Sequence, residues 1–185
     1  DVAVGLRASP RAGAHPLGQT QGPPMHALLF ALVAAAGLAA GAPAPDVSAR
    51  NQDGKVVRIS ELKGKPVLIY FYPKDDTPGC TKEACQLRDT YKRFEKAGAV
   101  ILGVSRQDAE SHKAFKAKYH LPFDLLSDPD GKFADAFHAE HMAVVGLNKR
   151  QSVLVGKDGK VVKFFEDVDP EKHAAEVLSL LEAQK

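Results

Sequence analysis

Tryptophan is absent from this 185-residue sequence, and cysteine occurs only twice. Two thiols permit at most one disulfide within the chain. The missing tryptophan also removes the residue that often precedes the Cys-x-x-Cys pair of thiol–disulfide oxidoreductases, and no such pair is present. Neither sign of charge predominates: 25 Lys and Arg stand against 23 Asp and Glu, a net charge of +2. Nucleic-acid binding needs a concentrated basic face, and so balanced a chain gives no support to it. The two signs alternate along most of the chain, which reads as a solvated surface. There is no internal repeat and no linker that would divide the folded part. What remains is 44% hydrophobic and 26% charged residues, the composition of a globular domain with a single sizeable core.

The first 44 residues differ from the rest. Residues 1–24 are rich in Gly, Ala, Pro and Arg without periodicity, and read as an extension outside the fold. Met25-His26 then opens an apolar run of fourteen residues, Ala27 to Ala40, followed by Gly41-Ala42-Pro43-Ala44-Pro45. An apolar segment followed by small residues is the pattern of a secretory leader, here residues 25–44. As a helix the run would rise about 21 Å, short of the roughly 30 Å hydrocarbon core, so a stable membrane span is not expected. This makes the protein an exported, periplasmic one if the leader functions, and a cytoplasmic one otherwise. The folded domain is residues 45–185.

Along that domain, Asn51-Gln52-Asp53-Gly54-Lys55 marks a hairpin turn before Val56-Val57-Arg58-Ile59. Pro66 to Tyr72 and Ala99 to Ser105 are continuous apolar runs, as expected of strands buried on both faces of a mostly parallel sheet. Thr77 to Gly98 reads as one helix, with Thr77 able to N-cap and Pro78 at the first helical position. Asp108 to Tyr119 is an amphipathic helix with Phe115 and Tyr119 four apart, and Lys132 to Ala139 a short one. Lys157-Asp158-Gly159-Lys160 turns a second hairpin, and Pro170 to Ala183 forms a terminal helix. The order β-β-α-β-α-β-α-β-β-α predicts an α/β fold with a mixed sheet.

Both cysteines fall in the segment that follows the first buried strand. Cys80 lies at the opening turn of a helix, where unpaired backbone N–H groups and the macrodipole favour a thiolate, the nucleophilic form. Apolar walls act against the charge, so a cation is also required. Lys74, Arg88 and Arg150 are candidates, and spacing does not choose among them. Cys85 lies five residues on. Helical residues at that separation are rotated by about 140° and lie more than about 8 Å apart at Cα, beyond the roughly 7 Å reach of a disulfide. The pair can bond only if the first turn unwinds, which makes a poor staple and a workable redox switch. Metal binding by the two cysteines with a histidine is a second reading, with His138 and His141 three apart. Metal-binding cysteine pairs are usually more closely spaced, and the histidines, including His112, His120 and His173, read as surface residues.

Pro73-x-x-x-Thr77-x-x-Cys80 resembles the active-site signature of the peroxiredoxins. The longer run Phe71-Tyr72-Pro73-Lys74, Thr77-Pro78-Gly79-Cys80-Thr81 and Glu83-Ala84-Cys85 is similar to the bacterioferritin-comigratory-protein class, also called peroxiredoxin Q. The resemblance extends through Leu62-Lys63-Gly64-Lys65, Leu87-Arg88-Asp89, Gly103-Val104-Ser105, Ser111-His112-Lys113 and Leu121-Pro122-Phe123, and covers residues 45–185. It implies a thioredoxin-like fold, a central mixed β-sheet flanked by helices, and thiol-dependent peroxidase activity without metal, haem or flavin. By that resemblance Cys80 is the peroxidatic cysteine, oxidised to sulfenic acid, and Cys85 the resolving cysteine that closes an intramolecular disulfide. Thr77 would hydrogen-bond the thiolate and the peroxide, Pro73 would shield the sulfur, and Arg150 would hold the thiolate and polarise the O–O bond. Arg88 would brace the site, and Glu83 would be structural. Hydrogen peroxide and small organic hydroperoxides are the implied substrates, a thioredoxin-like protein or another thiol the reductant, and a monomer the working unit.

The sequence departs from the class after Ser105, where Arg106-Gln107 precede Asp108, in Val153 and Gly156 of the strand after Arg150, and over His138 to Leu147. These departures bear on pocket shape and reductant docking. The alternatives are an exported thiol–disulfide oxidoreductase, whose Cys-x-x-Cys is missing, and a copper chaperone of the Sco type, whose cysteines are one residue closer together.

Overall fold

The computed structural model describes residues 38–183, so the extension 1–24 and most of the leader reading lie outside the described residues. Seven strands form one sheet in the order β2-β1-β5-β4-β3-β6-β7. The first hairpin joins β1 (Ser48–Asn51) to β2 (Val56–Arg58), with the turn at Gln52 to Lys55. A single 3-10 turn over Ile59–Leu62 leads to β3 (Val67–Phe71) at the centre of the sheet. β4 (Val100–Ser105) and β5 (Asp124–Ser127) follow in parallel with β3, and β6 (Gln151–Val155) returns antiparallel on its other side. β7 (Val161–Phe165) completes the second hairpin at the edge. This is the α/β fold with a mixed sheet that the element order predicts, with one strand more than the six of that order, and it is the thioredoxin-like arrangement that the resemblance implies.

The central strands have no polar face because both of their faces are covered. In β3, Leu68 and Tyr70 belong to one core, with Phe94, Phe115, Val177 and Leu181 of the flanking helices. Val67, Ile69 and Phe71 point into the other, with Phe133 and Phe137. All five β3 residues are buried, which requires the unbroken apolar run. Tyr70 lies across the neighbouring strand, where a Cβ on its register partner Gly103 would come within 2.7 Å of the phenol ring. Only glycine leaves that space.

The helices are α1 (Pro78–Asp89), α2 (Tyr91–Lys96), α3 (Ala109–Tyr119), α4 (Lys132–Ala136) and α5 (His173–Ala183). The expected single helix from Thr77 to Gly98 is therefore divided. Thr90 breaks it: its hydroxyl donates back to the Gln86 carbonyl at 2.7 Å, and its backbone leaves helical values at φ −99° and ψ 2°. A side chain that competes for a helix carbonyl weakens the ladder at that point. Asp108 caps α3 by accepting from the Ser111 N–H at 2.8 Å. The histidines correct the surface reading. His112 and His173 are 0% and 1% exposed, whereas His120, the left-handed residue that ends α3, and His138 are exposed as expected. His112 lies three residues before Phe115, on the apolar stripe that Phe115 and Tyr119 define.

Residues 41–44 belong to the folded body. Gly41 N–H donates to Val161 O at 2.7 Å, Val161 N–H to Ala42 O at 2.8 Å, and Ala44 N–H to Gly159 O at 2.9 Å. Among the described residues no helix is long and apolar enough to cross a membrane.

Candidate active site

Cys80 is delivered to the carboxyl end of β3 by a short loop that is held from behind. After Phe71, Tyr72 N–H still donates to Val104 O at 3.1 Å, and the chain then turns through Pro73 to Thr77. Asp75 anchors the turn. Its carboxylate accepts from the Tyr72 hydroxyl at 2.7 Å and the Ser111 hydroxyl at 2.7 Å, and His112 Nδ1 lies 2.8 Å away. The Asp75 N–H donates to Gln107 Oε1. His112 is held in turn by the Leu126 carbonyl, 3.1 Å from Nε2. Asp76 adopts φ +56° and ties the outside of the loop to α3 through Lys118 at 2.6 Å and the Tyr119 hydroxyl at 2.5 Å. Sequence reasoning missed this network. Its one visible signal is the place of His112 on the apolar stripe of α3.

Helix α1 then begins at Pro78, and its first backbone bond runs from Thr81 N–H to Thr77 O at 2.8 Å. The N–H groups of Gly79 and Cys80 thus precede the intrahelical ladder, as orphan donors at a helix start do. Thr77 holds the N-cap backbone position without a side-chain cap, and its hydroxyl donates to Lys74 O at 3.0 Å. Cys80 is 1% exposed and a free thiol, packed with Tyr70, Tyr72 and Ala84. Pro73 is half-buried beside the turn and Lys74 is exposed.

The cation question is settled by strand register. Phe71 pairs with Gln151 across β3 and β6, so Arg150 lies one step beyond, at the end of the sheet where Cys80 sits. Arg150 Nη2 is 3.4 Å from Cys80 Sγ, and Nη1 donates to Glu83 Oε2. Gly79 permits the approach, since a Cβ there would meet the Arg150 guanidinium at 3.0 Å. Burial weakens the charge of Arg150, but Glu83 and the Cys80 sulfur outweigh it and hold its pKa above the usual value. Glu83 is 0% exposed, one turn from Cys80, and its Oε1 has no hydrogen-bond partner among the described residues. Burial raises its pKa to about 7 against the pull of Arg150. Burial also raises the Tyr70 phenol well above its ordinary value, with Glu83 adding to the effect.

Cys85 is a second free thiol, half-buried on the same unbroken helix. Arg88 makes its contacts away from the sulfur of Cys80: it donates to Tyr119 O of α3 at 2.9 Å and pairs with Asp89 at 2.7 Å. The structure thus brings Cys80, Arg150 and Glu83 together, and leaves Lys74 and Arg88 outside that contact. On the metal reading, no group of three His, Cys, Asp or Glu side chains among the described residues is arranged to hold an ion. The ring nitrogens of His141 face Asn148 and Asp135 at 3.2 and 2.6 Å.

The family model of the AhpC/TSA family matches residues 40–164. The chain is 46% identical over 144 residues to a chloroplastic peroxiredoxin Q of Oryza sativa subsp. japonica, covering 77% of this chain and 66% of the relative. It is 41% identical over 150 residues to peroxiredoxin Bcp of Bacillus subtilis (strain 168), covering 76% and 93%. Among solved structures, peroxidoxin BcpB of Mycobacterium tuberculosis superposes with a TM-score of 0.75 at 31% identity, over 80% of this chain and 99% of the other. A peroxiredoxin Q of Xanthomonas campestris gives 0.72 at 36% identity, over 78% and 97%. The chain thus spans just under two thirds of the length of the rice relative.

Proposed function

Because the chain belongs to the AhpC/TSA family, in its peroxiredoxin Q/Bcp class, we propose that it is a thiol peroxidase working through Cys80 and Cys85. The observation that carries this reading is the contact of a half-buried arginine with a buried thiol, Arg150 Nη2 to Cys80 Sγ at 3.4 Å, at the start of a helix. A guanidinium there stabilises sulfur as an anion and meets the negative charge that develops on peroxide oxygen.

In the proposed cycle the Cys80 thiolate attacks the distal oxygen of a hydroperoxide. An S–O bond forms and the O–O bond breaks. The other oxygen leaves with a proton as water or an alcohol, and Cys80 becomes a sulfenic acid. Thr77 contributes an acceptor: its proton goes to Lys74 O, so its oxygen lone pairs can receive the peroxide O–H. Pro73 shields the sulfur from water. The Cys85 thiolate then attacks the Cys80 sulfur, forming the S–S bond and expelling the oxygen as water. A dithiol protein of the thioredoxin type reduces the disulfide by exchange. All named groups come from one chain, so a monomer suffices. Hydrogen peroxide and small organic hydroperoxides are the substrates.

The leader is shorter than residues 25–44 and is cut upstream of Gly41, which leaves residues 41–44 to pair with the second hairpin. Export across a membrane follows, and the N-terminal sequence of the native protein tests it: residues 1–24 still present would refute it.

The enzymatic reading is tested by mixing the reduced protein with one equivalent of hydrogen peroxide and following thiol loss. Both thiols are expected to disappear within seconds at micromolar concentration. Cys80→Ser should lose all turnover. Cys85→Ser should lose one thiol at the original rate and form no internal disulfide. A wild-type protein that reacts no faster than free cysteine would overturn the proposal.

A further inference from the structure

Both cysteines lie on the continuous helix α1, so the disulfide proposed above requires the segment between them to open. That segment contains Glu83, the most deeply buried carboxylate beside the site, at 0% exposure. Its Oε2 is bound to the same guanidinium that touches Cys80, and its Oε1 is buried with no partner among the described residues. Opening residues 80–85 must break the Glu83–Arg150 contact and carry the carboxyl group into water. We propose that Glu83 is a positioning residue that latches α1 closed in its protonated form and releases it when the carboxyl group is ionised in solvent, so that proton loss gates access of Cys85 to Cys80. This rests on the intramolecular disulfide of the preceding reading.

The covalent step itself is balanced without Glu83. The Cys85 thiolate attacks the Cys80 sulfenic sulfur, S–S forms as S–O breaks, and the departing hydroxide takes a proton to become water. Glu83 decides how often the two sulfurs can meet. Burial raises its pKa to about 7 in the closed helix, whereas an exposed carboxyl group titrates near its usual 4.5. The closed form therefore gains most from Glu83 below the exposed value, and loses that contribution as pH rises through the buried one. Between pH 5 and 6.5 opening should become about tenfold more favourable per pH unit, and the effect should level off above about 7.

Arg150 and the titratable groups on the elements packed against α1 do not compete in this window. Arg150 stays charged. Tyr70 of β3 stays neutral, its phenol raised by burial. His173 of α5 is lowered by burial to about 4 and remains neutral. Lys82 and Glu171, which join α1 to the turn before α5, form an exposed ion pair. His112 and Asp75 face Tyr72 and lie outside the opening segment, so they are common to wild type and a Glu83 variant.

The test is hydrogen exchange of the α1 amides 81–86 in the full-length reduced protein, with β4 amides as reference, at three pH values from 5 to 6.5. Relative protection should fall about tenfold per unit in the wild type, and stay flat in Glu83→Gln. A flat wild-type profile overturns the latch, and wild type alone decides the matter if the variant does not fold. In parallel, disulfide formation is timed after one equivalent of peroxide, and the slope of log rate against pH should be one unit lower in Glu83→Gln. Equal slopes overturn the latch while leaving the peroxidase reading intact. A wild-type protein that forms no internal disulfide at any pH refutes the preceding reading instead, and the exchange experiment still judges the latch.

Discussion

Asp75 and Glu83 are buried carboxylates eight residues apart, and the protein treats them in opposite ways. Asp75 has its partners: two hydroxyls and an imidazole on its oxygens, and its own N–H on Gln107. Those partners come from the residue just after β3, from α3 and from the loop between β4 and α3, so the carboxylate welds the turn before Cys80 to the scaffold. Among the described residues, the Glu83 carboxylate has Arg150 on one oxygen and nothing on the other. A satisfied network in a low-dielectric interior is rigid, and a half-satisfied one is the place where structure yields. The loop that aims the sulfur is thus fixed, while the helix turn that the proposed disulfide would open is held by a group whose burial is costly.

Three substitutions probe this contrast. The largest loss of stability is expected for His112→Ala, which strips a partner from Asp75 and opens a hole beneath Tyr72: about 3 kcal/mol, read as a shift of the urea midpoint. An unchanged midpoint would remove the anchor from the account. Arg150→Ala should cost about 2 kcal/mol in the barrier to peroxide attack, roughly thirtyfold in single-turnover thiol loss. A larger loss is not expected, because its side chain is 19% exposed and water can partly replace it. The smallest effect is that of Glu83→Gln at pH 5, where the native carboxyl group is already uncharged: a change in stability of about 1 kcal/mol or less. If Glu83→Gln destabilised the protein at pH 5 as much as His112→Ala, the contrast between the two carboxylates would fail.

Much of the architecture is legible in one dimension. Unbroken apolar runs at Val67–Phe71 and Val100–Ser105 mark strands covered on both faces, and Asp-Gly pairs mark both hairpins. The helix break at Thr90 is not legible, because a threonine hydroxyl that turns back on its own helix leaves no change in periodicity. Which cation meets the sulfur is also hidden: Lys74 and Arg88 are nearer than Arg150 along the chain, and only the antiparallel pairing of β6 with β3 brings Arg150 across. Charge pattern misled the reading of His112 and His173. Polar neighbours in sequence suggested solvent, whereas helical spacing puts both on buried stripes with Phe115 and Val177. Asp75 and Glu83 look like ordinary surface acids until a partner from a distant element is placed over them.

The pairing of residues 41–44 with the second hairpin has a consequence beyond the reactive end of the molecule. β7 is an outermost strand, and a bare outermost strand offers its amides and carbonyls as a template for a foreign chain. Gly41 and Ala42 take up both backbone groups of Val161, and Pro43, bridged to Lys160, has no N–H with which to recruit another strand. The short strap therefore works as a guard against aggregation, and a version trimmed past Ala44 should clump more readily on storage while keeping its chemistry.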